Sequence, residues 1–244
     1  MYLIAGKKFE HLFKNKHLIN KFEVLGVTRS SLIKETRISF IEKIKNNSKY
    51  DGIIACLLIG FRSDWNANIY GEVGNSTTSI LSFCEGIVNL SKEFKKKYFI
   101  IKFKDDLSEY TELISSINKI TSLSENVVVF FNNKLFTATQ LIAHCDLIIG
   151  KISTVNEEAL VFKKNVIIYD LENFVSTFGF YRKNKFLIAK NFDDLLFKTK
   201  SLLNKNDQFY NDYIKLKFDY VNNYLTDNGT VGDQSKISKI ISEY

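Results

Sequence analysis

The stretch of the 244-residue sequence best equipped for chemistry runs Cys145-Asp-Leu-Ile-Ile-Gly-Lys-Ile-Ser-Thr-Val-Asn-Glu-Glu-Ala-Leu-Val-Phe-Lys-Lys-Asn-Val-Ile-Ile-Tyr-Asp170. An apolar run ends at Gly150, and Ser153 and Thr154 then open a helical pattern. The first amides of a helix have no intrahelical acceptor, and the macrodipole adds to their positive potential. Hydroxyls and N–H groups placed there suit an anion such as phosphate. Glu158 follows Thr154 by four residues and so shares its helical face, where a carboxylate can accept hydrogen bonds from ribose hydroxyls. The same residues also fit a purely structural reading, in which Ser153 or Thr154 is an N-cap and Glu157 completes a capping box. Local pattern alone leaves both readings open.

Other chemistry is sparse. His11, His17 and His144 show no HxxxH spacing and no carboxylate companion at ligand spacing, so no metal site is expected. Cys56, Cys84 and Cys145 lie far apart in apolar surroundings without a CxxC pair, which reads as buried thiols rather than a zinc site or a disulfide framework. P-loop, GxSxG and GxGxxG patterns are absent, so no cofactor is expected either. No residue declares itself as a catalytic base.

The elements that would position Ser153, Thr154 and Glu158 alternate regularly. Ile53–Ile59, Tyr98–Phe103, Val127–Phe131, Asp146–Ile149 and Val166–Tyr169 are short apolar runs that read as strands. Between them, Thr77–Lys97, Leu107–Leu123, Phe136–His144 and Val155–Lys163 carry helical spacing. Strands apolar throughout and separated by helices are the signature of a parallel sheet covered on both faces, here doubly wound. Open sheets of this kind bind ligands at the carboxyl ends of their strands, where Gly150, Ser153 and Thr154 fall. A short strand at Phe186–Ala189, helices at Asp193–Leu203 and Asp207–Leu225, and a last helix after the Asp227–Gly232 turn complete the chain. Ahead of the alternation, Tyr2–Ala5, Lys7–Leu18 and Phe22–Leu25 read as strand, helix, strand, followed by a helix through Ile44. The turn chemistry of Asn46-Asn-Ser-Lys-Tyr-Asp-Gly52 marks a domain boundary there.

Composition narrows the partners. With 34 basic and 27 acidic residues the formal net charge is +7, which favours anionic partners. Only Arg29, Arg37, Arg62 and Arg182 carry a guanidinium, the group that reads bases in bidentate fashion, so nucleic acid is not the expected partner. Proline is wholly absent, against about 5% in average proteins. Motifs that usually contain it must therefore be recognised without it. No apolar run reaches the length of a membrane helix, and Met1-Tyr-Leu-Ile-Ala-Gly-Lys-Lys is charged too soon for a signal peptide. The expected location is cytoplasmic, with peripheral attachment at the inner face of the membrane left open.

Taken together, Ser153-Thr154, Glu158-Ala159 and Lys164-Asn165-Val166-Ile167 resemble the C-terminal, nucleotide-binding domain shared by GT-B glycosyltransferases, UDP-N-acetylglucosamine 2-epimerases and CDP-glycerol glycerophosphotransferases. Asn165 stands where that pattern usually has proline. Tyr169-Asp-Leu-Glu-Asn-Phe174 with Gly179-Phe-Tyr-Arg182, and Ile188-Ala-Lys-Asn-Phe-Asp-Asp-Leu195, extend the resemblance. Ala5-Gly-Lys-Lys-Phe9 and Val24-Leu-Gly-Val-Thr-Arg29 are similar to the closing strands of the N-terminal domain of such enzymes.

The resemblance implies a Rossmann-like α/β domain at residues 47–205, preceded by a short N-terminal domain remnant and linker at 1–46. Helices at 206–244 would pack back towards that N-terminal domain. It implies a transferase of cell-surface polysaccharide biosynthesis that takes a nucleotide-activated sugar or CDP-glycerol donor and a surface polysaccharide or lipid-linked acceptor. A partner chain could supply the N-terminal domain. A UDP-sugar 2-epimerase and a non-catalytic nucleotide-sugar-binding fragment are the alternatives. By the same resemblance Ser153 and Thr154 bind the diphosphate and Glu158 the ribose. Gly150 and, in the loop Gly60-Phe-Arg-Ser-Asp-Trp65, Arg62 and Ser63 are further candidates for substrate binding. Many retaining GT-B enzymes have two glutamates eight positions apart here. Val166 and Asn165 occupy the positions where Glu158 and Glu157 would find that partner, which disfavours the retaining type. Lys102 and Lys104 flank Phe103 at a strand end, where alternation puts both on one face and one of them could meet the phosphates; solvated strand-end lysines are the expected account.

Overall fold

A computed structural model describes residues 2–4, 22–24, 37–58, 76–104, 106–132, 134–151, 153–173 and 184–226. Tyr2–Ile4 (β1) and Phe22–Val24 (β2) pair in parallel, with Tyr2 opposite Phe22 and Ile4 opposite Val24. Parallel neighbours require a crossover between them. The helix expected at Lys7–Leu18 lies outside the described residues, as do Arg62, Ser63, the Gly179–Arg182 segment and the last helix.

The main sheet has six parallel strands: Gly52–Leu58 (β3), Lys97–Phe103 (β4), Val127–Phe130 (β5), Leu147–Gly150 (β6), Asn165–Tyr169 (β7) and Ile188–Ala189 (β8). Their spatial order is β5-β4-β3-β6-β7-β8. Three strands are laid down outward from β3 in one direction, and the chain then returns to place β6 on its other side. This is the doubly wound Rossmann order, and the reversal between β3 and β6 is its switch point. Ile53–Leu58 and all of β6 are buried, because helices cover both faces and leave no strand face for water.

The helices among the described residues are Ser39–Lys45 (α1), Thr77–Glu93 (α2), Thr111–Thr121 (α3), Ala138–His144 (α4), Thr154–Val161 (α5), Phe192–Asn204 (α6) and Gln208–Tyr220 (α7). α2 packs against α3 and α4 against α5, as right-handed crossovers on opposite sides of a reversal require. Two ends differ from the sequence expectation. α2 stops at Glu93 rather than Lys97, because Lys97 already pairs with Gly52 in the sheet. α3 starts at Thr111 rather than Leu107, because Leu107 is buried in the preceding loop with its N–H on the Phe131 carbonyl.

One hydroxyl helps to fasten α7 to the sheet. β8 pairs only with Ile168 and Tyr169, which leaves the backbone of Val166 without a strand on that side. The buried Tyr213 hydroxyl donates to the Val166 carbonyl at 2.8 Å and accepts from its N–H at 2.7 Å. Tyr213→Phe orphans both groups, and we expect it to lower the unfolding free energy by about 2 kcal/mol in urea denaturation.

Lys217, also on α7, donates to Asn165 Oδ1 at 2.6 Å. Burial, with a smaller contribution from the charge of Lys205, lowers its pKa from 10.5 to about 8. Below pH 8 the lysine is protonated in folded and unfolded chains alike, and the folded state bears the full cost of burying the charge. Between 8 and 10.5 the unfolded chain holds a proton that the folded one does not, so stability rises with pH. For this half-buried side chain we expect a rise of about 1 kcal/mol after solvent screening. The difference between the wild type and Lys217→Met in denaturant titrations across that pH range isolates it.

Candidate functional site

The carboxyl ends of β3 and β6 meet two helix N-termini. α2 begins after Ser76, whose hydroxyl accepts from Ser79 N at 3.2 Å. α5 begins after Ser153, an extended N-cap whose hydroxyl accepts from Val155 N at 3.4 Å. The long distance makes this a weak cap. With Ser153 as N-cap the third helical position is Asn156 rather than Glu157, and Val155 and Asn156 mark the first turn of a helix that is mostly buried. Ser153 is half-buried and Thr154 exposed, so both hydroxyls stand at the open end of the helix.

Glu158, one turn further in, is only 1% exposed, and both of its carboxylate oxygens are shielded from solvent. A charged side chain is rarely enclosed to this degree unless other polar groups serve it. The helix that carries it is short because its C-terminus closes tightly. Lys163 N donates to the Leu160 carbonyl and Lys164 N to the Ala159 carbonyl, each at 3.0 Å, with Lys163 in the left-handed region at φ 63°. This is a Schellman closure with lysine where glycine is usual. Lys164, part of the Lys-x-Val-Ile resemblance, serves the structure, since its ammonium donates to the carbonyls of Ala143 at 3.1 Å and Cys145 at 2.9 Å, at the end of α4.

Gly150 owes its identity to a neighbour. A Cβ there would stand 2.7 Å from Asn156 Oδ1 and 3.3 Å from the Leu57 carbonyl oxygen. The missing side chain lets the buried Asn156 amide reach back across the turn, where Nδ2 donates to the Lys151 carbonyl at 2.6 Å. Lys151 is itself buried, and its ammonium donates to the Ser79 hydroxyl on α2 and to Glu172, 3.0 Å away in the turn after β7. Burial lowers its pKa, an effect opposed by the carboxylates of Glu172 and Asp170.

Reading the sequence alone passes over Lys151, Asn156 and Ser79, although a lysine directly behind a core strand is a signal in itself. Lys102 also departs from expectation. It is buried, and its ammonium donates to the carbonyls of Phe103 at 2.6 Å and Asn132 at 2.7 Å, tying together the ends of β4 and β5. Lys104 is exposed.

The cysteines are inert by position. Burial raises Cys56 well above the usual thiol range and Cys84 and Cys145 to about 12, so all three stay protonated. Among the described residues no three His, Cys, Asp or Glu side chains are grouped to hold a metal ion. Nor is any described helix long and apolar enough to cross a membrane.

A cleft of about 380 Å³ opens at the opposite, amino edge of β3 and β6, between Lys45, Asp51, His144 and Asp146. It faces the C-termini of α1 and α4, whose dipoles point negative charge at it. By position and polarity it is the poorer place for a phosphate.

No protein-family model matches the sequence, and no curated protein matches it. Solved structures do match by fold. The chain is similar to a glycosyltransferase from Rickettsia africae ESF-5, with 15% identity over 99% of this chain and 62% of that one, at a TM-score of 0.52. It is similar to the UDP-GlcNAc 2-epimerase from Neisseria meningitidis, solved bound to UDP-GlcNAc, with 13% identity over 98% of this chain and 60% of that one, at a TM-score of 0.58. The wall teichoic acid polymerase TagF shares 15% identity over 99% of this chain and 56% of its own, at a TM-score of 0.56. These neighbours are of the GT-B type, and at such identities the likeness is one of fold. The chain spans less than two thirds of the length of each.

Proposed function

We propose that the chain provides the donor-binding domain of a GT-B transferase, a glycosyltransferase or glycerophosphotransferase. It would move a sugar or glycerol phosphate from a nucleotide-activated donor to a surface polysaccharide or lipid-linked acceptor. In this reading residues 47–205 hold the donor. Residues 1–46 belong to the acceptor-side domain, and 206–244 pack back towards it. This reading calls for an acceptor-side domain, which a partner chain could supply.

One observation carries the proposal: at the switch point of a doubly wound sheet, two hydroxyls stand at the N-terminus of α5 with an enclosed carboxylate one turn behind them. The open amides and hydroxyls of Ser153 and Thr154 suit a diphosphate, and Glu158 suits the vicinal hydroxyls of a ribose. Gly150 keeps the turn compact; Arg62 and Ser63 stay candidates for substrate binding that lie outside the described residues.

Calorimetry with UDP and CDP tests this. Binding of either nucleotide, weakened by both Ser153→Ala and Glu158→Ala, is the expected result; binding that neither substitution affects would end the site assignment. A 2-epimerase reading uses the same pocket and draws support from the fold likeness to the N. meningitidis enzyme. Incubation with UDP-N-acetylglucosamine distinguishes the two, since an epimerase yields the C2 epimer without any acceptor. A chain that binds donor but turns nothing over, even with its acceptor-side domain restored, is a binding module.

A further inference from the structure

Lys151 sits at the junction of three elements. Its ammonium reaches Ser79 in the first turn of α2 and Glu172, 3.0 Å away, in the turn after β7. Its carbonyl accepts from Asn156 Nδ2 at 2.6 Å, in the first turn of α5, and its N–H donates to the Leu57 carbonyl at 3.3 Å, at the end of β3. One residue therefore touches both helix N-termini and both strands of the switch point. Asn156 is 1% exposed, and its Oδ1 has no hydrogen-bond partner among the described residues. Enclosing that oxygen costs free energy, so the bond from Nδ2 to Lys151 is retained against an opposing term.

We propose that Lys151 is a positioning residue for the donor's phosphates: it ties α2 to the turn after β7 through its side chain and sets the N-terminus of α5 through its carbonyl. The proposal rests on the donor-site reading above and adds the device that holds that site in shape. The alternative role, a direct cationic ligand of the phosphate, fits the geometry less well. The ammonium is buried and already engaged by Ser79 and Glu172, and the neighbouring Asp170 adds a further carboxylate. An incoming phosphate would have to compete with those carboxylates for the same charge.

The two roles predict opposite effects at Glu172. If Lys151 positions, removing its partner loosens the tether and weakens nucleotide binding. If Lys151 is a ligand, removing the competing carboxylate frees the ammonium and tightens binding. A pH profile adds a second readout. Among the groups facing the ammonium are Ser79 and Cys84 from α2 and Asp170 and Glu172 from the turn after β7. Burial brings its proton loss below the ordinary lysine value of 10.5, while Cys84 stays protonated to about 12. Affinity should therefore fall on the alkaline side in the wild type, and Lys151→Met should lack that limb.

The experiment is calorimetry with UDP and CDP on the wild type, Lys151→Met, Lys151→Arg, Glu172→Gln and Ser79→Ala. It is paired with amide hydrogen exchange of the ligand-free proteins. We expect Lys151→Met to weaken binding by about tenfold or more and Glu172→Gln to weaken it in the same direction. Lys151→Arg should recover part of the loss. Amides of residues 153–156 should exchange faster in Lys151→Met without any nucleotide present. Tighter binding by Glu172→Gln, or unchanged exchange at those amides, would overturn the proposal. If Lys151→Met does not fold, Ser79→Ala and Glu172→Gln carry the same test. Should the wild type bind neither nucleotide while the amides still respond, the donor reading fails and the tether stands.

Discussion

Glu158→Gln should weaken binding of the nucleotide about 10- to 100-fold with only a small change in Tm. The substitution keeps the size and shape of the side chain and removes its ability to ionise. Hydrogen bonds to an ionised carboxylate are worth about 1.5–3 kcal/mol, roughly twice those to a neutral amide oxygen. In the proposed site the enclosed position of Glu158 would spare such bonds from competition with water. The amide also replaces one acceptor by a donor, which a ribose hydroxyl can meet only by turning its own proton away. A purely structural Glu158 gives the reverse pattern, a fall in Tm with the dissociation constant unchanged. Calorimetry and thermal melts on one preparation separate the two.

Gly150→Ala should cost about 3 kcal/mol of stability and remove nucleotide binding at accessible concentrations. The added methyl would stand 2.7 Å from Asn156 Oδ1 and 3.3 Å from both Asn156 Nδ2 and the Leu57 carbonyl. The strand carbonyl cannot give way without breaking the β3 to β6 ladder, so Asn156 has to move. When it moves, the bond to the Lys151 carbonyl is lost, and with it the placement of Ser153 and Thr154. The double substitution Gly150→Ala with Asn156→Ala tests this order of events. It relieves the contact, so urea denaturation should show part of the stability restored while calorimetry shows no return of affinity. Equal recovery of both would place the damage elsewhere.

The parts of the fold legible in the sequence are those set by local pattern. β3, β6 and β7 announce themselves as uninterrupted apolar runs, because a strand covered on both faces has no position left for a polar residue. Their alternation with helical segments is enough to imply a doubly wound parallel sheet, and the strand order bears this out. Element ends are less legible. Lys97 looks like the end of a charged helix, and only its pairing with Gly52 makes it the first residue of β4.

The buried lysines are the least legible of all. Lys102 and Lys151 look like ordinary strand-end lysines. Each has a long apolar stem, and, apart from the adjacent Phe103 carbonyl at Lys102, the groups that receive its ammonium come from segments distant in sequence: Asn132 for Lys102, and Ser79 and Glu172 for Lys151. No local rule anticipates partners that only the finished sheet brings together. Asn156 is hidden for a related reason, since its role depends on a glycine six residues earlier and on a carbonyl five residues earlier meeting across a turn.

A crystal structure of the protein grown with UDP or CDP probes the proposed donor site without an intermediary. The diphosphate is expected over the first amides of α5, between the carboxyl ends of β3 and β6, with the ribose hydroxyls donating to Glu158. Nucleotide bound instead in the cleft between Lys45 and Asp146, at the amino ends of the same strands, would refute the donor site.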